Sequence, residues 1–132
     1  MPFTELDKKM KLQEAAWEQR LPADQPFVMR LDGHGFSKFT RGFDKPFDER
    51  IHQAMVLTTG ELMKTFNAMA GYTQSDEITL AFPAAPELTE TQLEKGSKRT
   101  LQFDGRVQKM TSLAAGLCSV KFNQHLQAQP LR

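Results

Sequence analysis

Apolar positions change their spacing along the chain, and each change predicts an element. Leu6, Met10, Trp17 and Leu21 recur at roughly helical spacing among charged residues, which predicts an amphipathic helix over 5–21 with Trp17 as a packing anchor. LPADQP at 21–26 breaks it. Phe27, Met29 and Leu31 then alternate with Val28 and Arg30, a short strand that runs into DGHGF, where two glycines permit a tight turn. Past Lys45–Pro46, Asp48 is placed to cap a long helix whose Ile51, Ala54, Met55, Leu62, Met63 and Phe66 share one face. A hairpin follows: AMAGYT, a turn around QSDE, and ITLAF with Ile78, Leu80 and Phe82 on one side. Residues 83–104 predict a loop or insertion. A second helix, from about 105 to 126, turns Val107, Met110, Ala114, Leu117 and Cys118 inward.

Behind an N-terminal helix and linker over 1–25, this order of strand, helix, strand, strand, helix predicts an α+β fold. It is the ferredoxin-like split βαβ (βαββα) with its closing strand missing. LQAQPLR, with Pro130, makes a poor strand, so the 1–132 domain is expected to be C-terminally incomplete. A right-handed crossover makes the first two strands parallel and slots the third between them, antiparallel.

That topology has a chemical consequence. The C-terminal end of the first strand lies beside the start of the third, so Asp32 meets Ser75, Asp76 and Glu77 at one edge. Carboxylates held close repel unless a cation sits between them, and oxygen ligands of this kind suit Mg²⁺. Paired magnesium ions activate an attacking oxygen and stabilise a leaving one in phosphoryl chemistry. Singly, Asp-Gly after a strand and Ser-Asp at a hairpin corner are ordinary turn signals; together in this topology they favour a site.

Bulk properties narrow the picture without adding to it. With 132 residues, 39% hydrophobic and 25% charged, the chain is one small globular domain, and its net charge of +1 gives no global sign of a nucleic-acid binder. Cys118, the only cysteine, sits in an apolar run as a buried, inert thiol. No run approaches a membrane span, and Glu5 and Asp7 among the N-terminal lysines argue against a targeting peptide, so a cytoplasmic protein is expected. His52 and His125 lack metal-ligand spacing and are expected to be structural or on the surface.

Four motifs then stand in order: RLDGHGFSKF (30–39), F-x-K-P-F-D-x-R (43–50), YTQSDE (72–77) and the R-x-x-K of DGRVQKM (104–110). Together they resemble the tRNA-His guanylyltransferase family and its guanylyltransferase-like relatives, over about residues 6–126. The resemblance implies a polymerase palm that extends tRNA at its 5′ end, in the 3′-to-5′ direction. Asp32, the carbonyl of Gly33, and Asp76 would hold two Mg²⁺ ions, with Asp32 and Asp76 catalytic. It places His34, Gly35, Phe36, Ser75 and Glu77 around the nucleotide and Lys45, Arg106 and Lys109 on triphosphate. ATP and GTP are the implied substrates, tRNA the partner, and a homo-tetramer the implied assembly. Arg106 and Lys109 also share a face near a helix start, itself a natural phosphate site. His34 between two glycines is read equally well as a nucleotide contact or as a turn residue.

Departures from the family pattern are visible. Tyr72-Thr73 stands where Tyr-Gly is usual, His34 where Arg is frequent, and Ser37 where His is frequent. They resemble the guanylyltransferase-like group, which repairs truncated tRNA 5′ ends. Two alternatives stay open: a palm-type nucleotide cyclase, and a catalytically silent nucleotide- or RNA-binding module.

Overall fold

Strand alternation decides which face of the sheet is covered. In the structure, a computed structural model that describes residues 4–130, β1 (Phe27–Asp32) pairs antiparallel with β3 (Glu77–Phe82), from Phe27 opposite Phe82 to Asp32 opposite Glu77. On its other side β3 pairs antiparallel with β2 (Ala70–Gln74), giving the order β1-β3-β2. β1 and β2 therefore run parallel with β3 between them, as the crossover rule requires. Met29, Ile78, Leu80 and Phe82 point to one face and are buried there.

Two helices cover that face. α3 (Glu49–Phe66) starts where Asp48 accepts from the Arg50 backbone N–H, and it buries Ile51, Ala54, Met55, Leu62 and Phe66. α5 (Val107–Gln127) buries Met110 and Ala114, while Leu117, Cys118, Phe122 and Leu126 pack partly against the same core. Each fully buried side chain among Leu62, Ile78 and Leu80 contributes about 1.5–3 kcal/mol from its removal from water. Glu61 of α3 ties to α5 through His125 at 3.2 Å and Lys121 at 3.6 Å.

The opposite face of the sheet is open. There Val28 aligns with Ala81 and Ala70, Arg30 with Thr79 and Tyr72, and Asp32 with Glu77 and Gln74. Among the described residues no strand follows α5, and the outer edge of β1 has no strand beside it. None of their helices is long and apolar enough to cross a membrane.

The N-terminal helix departs from expectation. α1 (Glu5–Trp17), started by a capping box between Thr4 and Asp7, buries none of its residues, and Trp17 is 87% exposed. Trp17 is therefore no packing anchor. Docking falls instead to the strip after the helix, where Leu21 N–H donates to Gly105, Val107 N–H to Gln19, and Ala85 N–H to Ala23. Residues 83–104 are likewise more than a loop. They carry α4 (Glu90–Glu94), bury Ala85 and Leu101, and bond back to the domain through Arg99 to the Ala85 carbonyl and Gln102 to the Phe66 carbonyl.

Candidate active site at the acidic edge of the sheet

The β2–β3 hairpin closes in two residues, Ser75 and Asp76. Such turns want a positive φ at the first position, and Ser75 supplies it at 55° although it is not glycine. This turn holds Asp76 against the end of β1, where the Gly33 N–H donates to the Asp76 carbonyl at 2.9 Å. Approach there is close enough to demand glycine. A Cβ on Gly33 would lie 2.8 Å from Phe36 Cδ2 and 3.0 Å from Asp76 Cβ.

Three acids result at one edge. One carboxylate oxygen from each of Asp32, Asp76 and Glu77 lies within 4.8 Å of the others. Arg30, two residues before Asp32 on the same face, pairs with Glu77 and neutralises one of the three charges. The two charges that remain, on hard oxygen donors and partly open to water, fit a divalent cation such as Mg²⁺.

One cavity takes in Asp32 and Asp76, and a second borders it. The first, of about 400 Å³, is lined by Asp32, Gly33, His34, Phe36 and Asp76, with Cys118, Ser119, Phe122 and Asn123 of α5 as its far wall. The other, about 380 Å³, brings Lys45 and Ser75 together with Thr40, Asp48 and His52. Phe36 and Met55 line both, so they form the partition. Lys45 Nζ is held 3.2 Å from Thr40 Oγ1, whose hydroxyl donates to the Phe36 carbonyl.

Phe36 owes its position to a short helix that the sequence reading did not predict. α2 (Phe36–Phe39) begins at Gly35, which adopts the left-handed φ of 59°. It packs Phe36, tilted, and Phe39, edge-on, against Phe122 at 5.9 and 6.0 Å, and stacks Phe39 on Phe43 at 5.9 Å. The three- and four-residue spacing of Phe36, Phe39 and Phe43 was the available signal. Cys118 is half-buried rather than buried, and burial pushes its thiol above the ordinary value, so it stays a thiol where it faces the acids' cavity.

Arg106 and Lys109 stand elsewhere. They line a cavity of about 750 Å³ with Trp17, Glu14 and Glu18, and Arg106 Nε sits 3.8 Å from Glu18. α5 runs parallel to β1, so its start lies at the end of the sheet away from Asp32. From Lys109 to Cys118 the helix advances about 14 Å.

A split βαβ sheet with its acids where β1 ends and β3 begins is a polymerase-type palm. The family model described as tRNAHis guanylyltransferase (Thg1) matches residues 7–130, and the chain belongs to that family. It is 42% identical over 119 residues to the uncharacterized protein R259 of Acanthamoeba polyphaga mimivirus, covering 90% of this chain and 40% of that one. A bacterial tRNA(His) guanylyltransferase (Thg1)-like protein solved in complex with GTP superposes with a TM-score of 0.82 at 30% identity, covering 94% of this chain and 53% of that one. A bacterial Thg1-like protein in complex with ATP gives the same TM-score at 29% identity, covering 95% of this chain and 51% of that one. The chain thus spans about two fifths to half the length of these relatives.

Proposed function

We propose that this chain carries the catalytic palm of a nucleotidyltransferase that adds nucleotides to the 5′ end of tRNA in the 3′-to-5′ direction. The observation that carries the reading is the cluster of Asp32, Asp76 and Glu77 within 4.8 Å, the first two lining a cavity that shares Phe36 and Met55 with the one holding Lys45 and Ser75. Family membership and the GTP- and ATP-bound relatives support it.

Asp32, the Gly33 carbonyl and Asp76 would hold two Mg²⁺ ions, which when bound supply charge neutralisation and orientation for the phosphoryl group and its attacking oxygen. The chain's own groups do the rest. Ser75, lifted by its left-handed backbone, offers a hydroxyl to a phosphate or ribose oxygen. Lys45 meets the triphosphate from the cavity wall as a point charge. Phe36 and Phe39 supply apolar wall to the cavity that Asp32 and Asp76 line. His34 and Gly35 lie at the rim, where a nucleotide passes. Arg106 and Lys109 meet phosphate at the far end of α5, on a second triphosphate or on the RNA backbone.

The test is incubation with labelled NTP, Mg²⁺ and a tRNA lacking its first 5′ nucleotide. Labelled tRNA supports the reading. A cyclic nucleotide, or binding without turnover, refutes it.

A further inference from the structure

The F-D-x-R part of the second motif has no role in the proposed chemistry, yet Asp48 and Arg50 form a closely bonded polar knot beside the Lys45 cavity. Asp48 is 4% exposed, and both its oxygens are saturated. Oδ1 accepts from the Arg50 backbone N–H at 2.9 Å and from Arg50 Nε at 3.1 Å. Oδ2 accepts from the Asp44 N–H at 2.9 Å and from Arg50 Nη2 at 2.8 Å. The Arg50 guanidinium lies in turn 4.8 Å from the centre of the Phe43 ring.

Capping α3 needs only the first of these bonds, since a single side-chain acceptor at the cap satisfies a helix start. The remaining bonds gather residues 43, 44, 48 and 50 and so close the segment that contains Lys45. A lysine on a free loop spends most of its time away from any one target, because its long side chain has many rotamers to lose. On this closed segment Lys45 starts from a fixed backbone and ends 3.2 Å from Thr40 Oγ1, on the wall facing Ser75.

We propose that Arg50, acting through Asp48, is a positioning residue for Lys45: its clamp aims the ammonium at the polyphosphate of the bound nucleotide. This rests on the reading of Lys45 as a triphosphate contact.

The experiment compares Mg²⁺-GTP and Mg²⁺-GMP binding by titration calorimetry, with melting curves, for the full chain and for Lys45→Ala, Arg50→Ala, Arg50→Lys and the Lys45→Ala/Arg50→Ala pair. Lys45→Ala should weaken GTP roughly tenfold, the effect of losing one charged hydrogen bond, and GMP much less. Arg50→Ala should give most of the same GTP-selective loss, and Arg50→Lys, without the planar fork, an intermediate one. The pair should be no weaker than Lys45→Ala alone, because the clamp works only through that side chain. Should Arg50→Ala not fold, Arg50→Lys decides. Lower melting with unchanged GTP binding, or a loss that adds to that of Lys45→Ala, would overturn the proposal and leave a merely structural knot. Unchanged GTP binding in Lys45→Ala alone would instead remove the reading of Lys45, and the role of Arg50 with it.

Discussion

Asp32 and Glu77 stand directly opposite each other in the β1–β3 register, so two carboxylates share one rung of the sheet. Like charges placed this way weaken a strand pair, and Asp76 adds a third beside them. Arg30 offsets one of the three charges, and a bound divalent cation would offset the other two. Asp32→Ala and Asp76→Ala should each abolish Mg²⁺-dependent nucleotide addition while leaving the metal-free melting temperature unchanged or slightly raised. In the parent chain, Mg²⁺ at a hundredfold excess over its Kd should add about 2.7 kcal/mol of stability. That increment should vanish in both variants. A variant that keeps it, or keeps activity, removes the metal assignment.

Gly33 is the point where β1 and the hairpin turn touch. In Gly33→Ala, the new methyl meets Phe36 and the Cβ of Asp76, and the Asp76 side cannot yield without breaking the bond from Gly33 N–H. We expect about 1–3 kcal/mol of destabilisation, the range for forced overpacking, measured by urea unfolding. Activity should fall further than stability explains, since Asp76 is the group displaced.

Ser75 separates stability from function in the opposite direction. Its left-handed backbone costs a non-glycine residue about 1 kcal/mol. Ser75→Gly should therefore melt at a temperature equal to or above the parent's, yet use NTP less well because the hydroxyl is gone. A variant that melts higher and turns over at the parental rate would make Ser75 a turn residue only.

Much of this was legible in the sequence, and the reason is topological. Alternation at Phe27–Leu31 and Ile78–Phe82 identified strands, and the order of elements alone brought Asp32 to Asp76. Periodicity does not say what surface a helix meets, so Trp17 read as an anchor although it is 87% exposed. α2 has four residues, so its one signal, the spacing of Phe36, Phe39 and the Phe43 beyond it, is too short to identify a helix. Arg106 and Lys109 share a face, as their spacing indicated, but spacing along a helix does not tell which end of the sheet that face adjoins.

Acid should act on the domain through Asp48. Side-chain hydrogen bonds from Arg50, aided by the backbone donors of Asp44 and Arg50, outweigh its burial and hold its carboxyl well below the usual carboxylate range. A group depressed in the folded state stabilises it above the unfolded value, about 3.9 for Asp, and that contribution drains as pH falls below it. Melting temperature against pH should drop steeply below about pH 4 in the parent chain. Asp48→Asn should start lower at neutral pH and show a shallower acid limb. An unchanged acid limb would mean that the carboxyl titrates elsewhere.

The cationic residues divide into two groups by position, and binding should divide with them. Lys45 shares a cavity with Ser75, the residue before Asp76. Arg106 and Lys109 share another with Trp17, at the opposite end of α5. A single triphosphate seated at the acids cannot readily span both, given about 14 Å of helix between Lys109 and the acids' cavity wall. We therefore expect Lys45→Ala to weaken GTP binding more than GMP binding, with little effect on tRNA. Arg106→Ala and Lys109→Ala should each weaken tRNA binding or a second triphosphate, and reduce the salt dependence of RNA affinity by about one phosphate contact where RNA is the ligand. Titration of GTP and tRNA at several salt concentrations distinguishes these outcomes. Equal losses of one GTP per chain in all three variants would mean that one nucleotide reaches both groups. No loss for either ligand in Arg106→Ala and Lys109→Ala would make that pair a solvated helix start beside Glu18.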